Sequence, residues 1–344
     1  MQKVQKLLDD AVQAGAFPAA VVEVGDATRV LWSEALGRLT FDPASPPTPL
    51  DAVFDLGSLT KVLATTPIVM QEFERGVIGL DEPVSHYIPA WTGADRTGVT
   101  IRDLLAHSSG LPAHRHFYET MSGRAPFERA ICTTPLEYAP RARSIYSDLG
   151  FMLLGFLLDD RRPLAQRFTA LRVQIRIVED LQFHPPASWR TRIAPTEEPF
   201  RRRATIGAVA DENAAALGGV AGHAGLFGTA AGVGQHARHL LQVLDGKVGA
   251  FQRATLEQFI TKRADVPGSS RALGWDTMLP TSSCGIRMSP RSFGHTGFTG
   301  TSLWIDPDRG IYVVLLTNRV HPTDANDAIR QVRPAVPDAV RSEI

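Results

Sequence analysis

Two β-rich regions at opposite ends of the chain constrain its fold more than anything between them. Near the start, AAVVEVG (Ala19–Gly25) and TRVLWSEALG (Thr28–Gly37) flank the turn residues Gly25 and Asp26, which is the pattern of a hairpin. Near the end, TSLWIDPDRGIYVVLLTN (Thr301–Asn318) holds two more β-rich runs around Pro307 and Gly310. Between them RDLLAHSSGLP, SDLGFMLLGFLLDD and TAAGVGQHARHLLQVLDG carry apolar residues at helical spacing. Strands at both ends with helices between them imply an α+β fold: an antiparallel sheet built from both chain termini, flanked by helices, with an inserted mostly helical domain. The expected division is an α/β part in residues 1–85 and 228–344 and an insertion at 86–227.

Charge narrows the partners. The 36 basic and 36 acidic residues cancel, so no global field draws this chain to nucleic acid or to an anionic membrane. Asp9, Asp10 and Gln13 interrupt the apolar residues of the N-terminal segment at helical spacing, which makes it an amphipathic helix and not a signal peptide. No apolar run approaches the roughly 20 residues that a membrane span needs. Cys132 and Cys284 lie far apart without metal or redox spacing and read as free thiols, so the expected location is the cytoplasm. The stretch from Arg161 to Arg203, broken by Pro185, Pro186, Pro195 and Pro199, reads as a loop-rich excursion, and its basic runs DDRRP and FRRRA as solvated surface.

The chemistry concentrates in FDLGSLTKVLATT (Phe54–Thr66). Ser58 falls at the start of a helix that Gly76 can end, and Lys61, one turn on, shares its face. The free N–H groups of a first turn favour developing negative charge there. Alone, Ser58 reads most economically as a helix cap and Lys61 as a surface residue. Two later groups change that reading. YSDLGFMLLG supplies the phenol of Tyr146 and the carboxyl of Asp148 where a loop enters an apolar helix, and HTGFTGTSLWID sets His295, Thr296 and Gly297 just before a strand.

Taken in this order, Ser-x-x-Lys, Tyr-x-Asp and His-Thr-Gly resemble the motifs of the serine β-lactamase and penicillin-binding-protein superfamily, especially class C β-lactamases, family VIII esterases and related peptidases and amidases. GSLTKVLATTPIVMQEFERGVIGLDEPVSHYIP, VTIRDLLAHSSGLP and LGGVAGHAGLFGTAAGV carry the same resemblance, which spans nearly the whole chain. It implies a sheet from both termini with an active site against the helical region. It also implies Ser58 as acylated nucleophile, Lys61 as its base, and Tyr146 as carrier of the proton to the leaving group. The backbone N–H groups of Ser58 and Phe298 would form the oxyanion hole, and Asp148, His295, Thr296 and Gly297 would contact substrate.

Two positions depart from the class C pattern: Asp148 replaces an Asn and His295 a Lys. An ionised Asp148 donates no hydrogen bond, and His295 is mostly neutral at pH 7. The reading is therefore a serine hydrolase of small-molecule esters, amides or peptides with weak or no β-lactamase activity. The alternatives are a β-lactamase or D,D-peptidase proper, and a catalytically silent binding module using the same cleft. A close Asp148 would keep Lys61 charged and leave Tyr146 as base, so the identity of the base stays open at this stage. No cofactor or metal is expected. The glycines of LGGVAGHAGLFGTA lack a phosphate-loop ending, and His107, His114 and His116 lack an acidic or thiol partner at ligand spacing. DEN (Asp211–Asn213) reads as a helix start.

Overall fold

The computed structural model describes residues 1–197 and 205–344. Pro199 and the FRRRA run lie outside the described residues. In chain order the first half holds α1 (Gln2–Gln13), β1 (Ala19–Asp26), β2 (Val30–Gly37), β3 (Phe54–Asp55), α2 (Thr66–Glu74), α3 (Val84–Tyr87), α4 (Ile101–Leu105), α5 (Arg124–Thr133), α6 (Asp148–Asp159) and α7 (Leu164–Gln174). The second half holds β4 (Leu181–Phe183), α8 (Glu212–Ala216), β5 (Leu226–Gly228), α9 (Ala230–Leu244), α10 (Arg253–Ile260), β6 (Asp276–Thr277), β7 (Phe293–Thr296), β8 (Ser302–Asp306), β9 (Ile311–Thr317) and α11 (Ile329–Val340).

The two terminal hairpins join, as their sequences imply. β1 pairs antiparallel with β9 (Val22 opposite Leu315), giving a six-stranded sheet in the order β2-β1-β9-β8-β7-β6. Its central strands are apolar on both faces because both are covered. Ala20, Val22, Val313 and Leu315 pack with Val4 and Leu8 of α1 and Val336 and Val340 of α11. Ala19, Val21, Val314 and Leu316 face the larger core that includes Val233, Ala237 and Leu240 of α9. That is why β1 and β9 read as almost unbroken apolar runs, whereas the edge strand β2 leaves Val30 and Leu31 exposed.

Two expectations change. Gly25 and Asp26 belong to β1, with a bulge between Val24 and Gly25, and the first hairpin turns one step later. There the Asp26 carboxylate accepts the N–H groups of Thr28 (2.6 Å) and Arg29 (2.9 Å). The supposed loop excursion after Arg161 contains α7, whose Leu164, Phe168 and Leu171 are buried at helical spacing, and β4. Pro185, Pro186 and Pro195 fall beyond both elements and Pro163 directly precedes α7, so none of them breaks either.

A second, three-stranded sheet, β3-β5-β4, brings the segment before Ser58 beside the segment after His223. α6 approaches this region through two glycines. A Cβ on Gly155 would lie 2.7 Å from the Gly222 nitrogen, and one on Gly222 only 2.0 Å from the Phe151 carbonyl oxygen. Both obstacles are backbone, so neither can swing aside. Gly155→Ala should lower the unfolding free energy by about 1–3 kcal/mol through overpacking. Urea denaturation checks this, and an unchanged midpoint would show that the contact yields.

Candidate active site

β3 ends in a tight turn that delivers Ser58. Gly57 sits at φ +51°, and a Cβ there would press to 3.1 Å from Thr299 Oγ1 and 3.3 Å from the Phe298 nitrogen, so glycine serves both the backbone angle and the close approach. Asp55 braces this turn from inside. One carboxylate oxygen accepts the Gly57 N–H (2.8 Å) and the other the Ala210 N–H (2.7 Å), while the Asp55 carbonyl accepts the Thr299 hydroxyl (2.7 Å). After Ser58 the helix widens into a π turn over Lys61–Thr65, closed by the Thr66 N–H donating to the Lys61 carbonyl. Ser58 directly precedes the helix, and its hydroxyl faces Lys61 and accepts no backbone N–H among the described residues.

The Lys61 side chain is fully buried and four oxygens from three segments surround its Nζ. They are Ser58 Oγ at 3.0 Å, the Tyr146 hydroxyl at 2.6 Å, Asp148 Oδ1 at 2.7 Å and the His223 carbonyl at 3.2 Å. Burial alone would push the ammonium pKa down, but the charges of Asp148 and Tyr146 outweigh it and hold Lys61 above its ordinary value. Asp148 likewise resists burial, because Lys61 and His114 keep its carboxyl well below the usual range. Burial moves Tyr146 upward. The resting pair is thus Lys61 ammonium and Asp148 carboxylate.

His295, Thr296 and Gly297 reach the same cleft at the end of β7, with the His295 ring 5.6 Å from that of Tyr146. His295 Nδ1–H donates to the Thr296 carbonyl at 2.8 Å. Burial, together with Arg271 and Lys61, holds this imidazole far below its ordinary pKa, so it is neutral with a lone pair on Nε2. Arg319 lies over the Phe298 ring at 4.4 Å and donates to the Phe298 carbonyl at 2.8 Å. Arg333 donates to the carbonyls of Gly297 and Thr301. Among the described residues neither the Ser58 nor the Phe298 N–H has an acceptor, and both residues line one cleft of about 680 Å³.

Four participants escaped the sequence reading. Asp55 precedes the motif and looks like an ordinary strand-end residue. The His223 carbonyl has no sequence signal because any residue supplies one. His114, set aside as a metal ligand, instead places Nδ1 3.5 Å from Asp148 Oδ2. Arg271 lines the cleft with its guanidinium 5.1 Å from the centre of the Tyr146 ring, bringing back near His295 a cation that the motif lacks. Asp211 does start a helix, capping α8 through the Ala214 N–H (2.7 Å), and it also lines the cleft and meets His223 Nε2 at 2.8 Å.

Comparison with known proteins identifies the family. The family model described as Beta-lactamase matches residues 4–336. The chain belongs to the β-lactamase family. An Escherichia coli relative named "Putative D-alanyl-D-alanine carboxypeptidase" is 31% identical over 78% of this chain and 69% of its own. A Bacillus subtilis N-acetylmuramyl-L-alanine amidase is 31% identical over 93% of this chain and 81% of its own. The β-lactamase fold also superposes on a hydrolase with promiscuous acyltransferase activity, with TM-score 0.77 and 22% identity over 99% of this chain and 98% of that one. A penicillin-binding-protein homologue from Caulobacter crescentus gives TM-score 0.77 at 19% identity, covering 100% and 97% of the two chains. These β-lactamase-family relatives are serine hydrolases of the β-lactamase and penicillin-binding-protein type.

Asp55 supplies a check on the Ser58 turn. Both oxygens of the Asp55 carboxyl accept an N–H, whereas Asn sets an NH2 group against one of the two donors, so below about pH 4 Asp55→Asn should cost about 1–3 kcal/mol of stability. Burial outweighs the two N–H bonds and raises the Asp55 carboxyl to about 6, above its unfolded value. Its contribution to stability is therefore complete below about pH 4 and lost as pH rises through about 6. Urea midpoints of wild type and Asp55→Asn should converge over that window, and a gap independent of pH would contradict the assignment.

Proposed function

We propose that this chain is a serine hydrolase that forms an acyl-enzyme on Ser58 and cleaves small-molecule esters or amides. The observation that carries this reading is the meeting of Ser58 Oγ, the Tyr146 hydroxyl and Asp148 at one buried Lys61 ammonium, in a cleft that Phe298 also lines. Ser58 Oγ attacks the acyl carbonyl, and its proton passes into the Lys61–Tyr146 pair. The N–H groups of Ser58 and Phe298 receive the oxyanion, a contribution that is worth about 3 kcal/mol per donor in comparable sites. Tyr146 returns the proton to the leaving alcohol or amine, and water then resolves the ester on Ser58.

The electrostatics set the pH dependence. Lys61 and Tyr146 both hold their protons above the ordinary range, so the form able to accept the Ser58 proton is scarce at pH 7. Each pH unit upward should enrich it about tenfold, and kcat/KM for p-nitrophenyl butyrate should climb without a plateau below about pH 10. A plateau near pH 7 would remove Lys61 and Tyr146 as the base. In Asp148→Asn the charge that raises Lys61 is gone, and the rising limb should move down by about 1–3 pH units.

The cleft favours some substrates over others. Ionised Asp148 offers no hydrogen bond to an acyl carbonyl, so nitrocefin should turn over far more slowly than a short-chain ester. Arg271 is the cation placed to meet a substrate carboxylate. The amidase and carboxypeptidase names of the relatives favour amides of cell-wall peptides as a second reading within the same chemistry. Ser58→Ala is the central test. It should abolish turnover of the chromogenic ester and labelling by a fluorophosphonate, and hydrolysis at the wild-type rate would refute Ser58 as nucleophile.

A further inference from the structure

We propose that His107 is a positioning residue that holds Tyr146 and Asp148 against Lys61, an inference that rests on the serine-hydrolase reading. His107 is 1% exposed and adopts φ +55°, a left-handed conformation uncommon for a residue with a side chain. The packing around it turns that conformation into two grips on one segment. Its Nδ1 accepts the Ser147 N–H at 3.0 Å, and its carbonyl accepts the Ile145 N–H at 3.0 Å and the Tyr138 hydroxyl at 3.1 Å. The Tyr138 hydroxyl accepts the Ile145 N–H as well, at 3.2 Å. The peptides on both sides of Tyr146 are therefore bound to one residue.

The imidazole also lies against the Tyr146 ring, 4.7 Å between centroids, and against Phe151 of α6 at 5.2 Å. Nδ1 is an acceptor, so the proton sits on Nε2, which has no partner among the described residues. Burial, with Arg271 and Lys61, keeps the ring neutral. Its polar contact is thus spent on Ser147, the residue between the two that reach Lys61. The next turns continue the support, with the Ser147 hydroxyl donating to the Pro112 carbonyl (2.7 Å) and the Asp148 N–H to the Ala113 carbonyl (2.9 Å).

The 2.6 Å contact from Lys61 to Tyr146 and the 2.7 Å contact to Asp148 depend on this segment staying in place. Aliphatic residues have no acceptor for the Ser147 N–H. Asn has one, and it tolerates the left-handed conformation.

Full-length His107→Ala, His107→Asn and Tyr138→Phe, with Ser58→Ala alongside, test the proposal by steady-state kinetics on p-nitrophenyl butyrate and by thermal melting. His107→Ala should lose about 100-fold in kcat with KM nearly unchanged, the scale of a misplaced catalytic group. His107→Asn should recover about tenfold of that loss, and Tyr138→Phe should fall between His107→Asn and wild type. Wild-type kcat in His107→Ala, or equal impairment of His107→Ala and His107→Asn, would overturn the proposal. If His107→Ala does not fold, Tyr138→Phe decides, and an unchanged kcat there overturns it. Activity in Ser58→Ala refutes the hydrolase reading itself, whereas an inactive Ser58→Ala beside a fully active His107→Ala refutes only the role of His107.

Discussion

A lysine ammonium without solvent exposure must find protein acceptors for all three of its N–H groups, and the rest of this site follows from how Lys61 finds them. Its four oxygen neighbours come from the turn at Ser58, the segment from Tyr146 into the first turn of α6, and the loop at His223. Leaving a buried charge unpaired is costly, so each of these segments is held to the others through one nitrogen. The same arrangement that satisfies the charge brings a hydroxyl, a phenol and a carboxylate within proton-transfer distance. Stability and chemistry here draw on the same contacts.

The supporting structure is mostly backbone. β3 and β5 carry Asp55 and the His223 loop to the cleft, and the glycine contact between α6 and Gly222 sets how near that loop comes. Thr65 of the π turn donates to the Gly222 carbonyl at 2.7 Å, which links the Lys61 helix to the same loop. On the opposite wall Arg319 and Arg333 bind the carbonyls of Phe298 and Gly297, and the Phe298 N–H has no acceptor among the described residues. Catalytic donors of this kind depend on groups fixed before substrate arrives.

Much of this was legible in the sequence because it rests on local pattern. Alternating and continuous apolar runs mark the terminal hairpins, and three-residue spacing places Ser58 and Lys61 on one face. α7 was hidden by arginines and by prolines that lie beyond it. Asp55 and Arg271 were hidden for another reason: each acts on residues distant in the chain, and neither belongs to a spacing pattern. His107 was visible as a histidine in turn-forming sequence, but its bond to Ser147 spans 40 residues.

The sequence by itself determined the α+β architecture with a sheet from both termini, the nucleophile candidate Ser58, and the charge change at Asp148 and His295. The architecture follows from periodicity, which is local, and Ser58 and the two charge changes follow from the resemblance of the ordered motifs to the β-lactamase superfamily. Tertiary structure alone decided the protonation of the site. Whether Lys61 is an amine or an ammonium depends on a carboxylate 87 residues away reaching 2.7 Å from its buried Nζ, and no spacing in a chain encodes that distance.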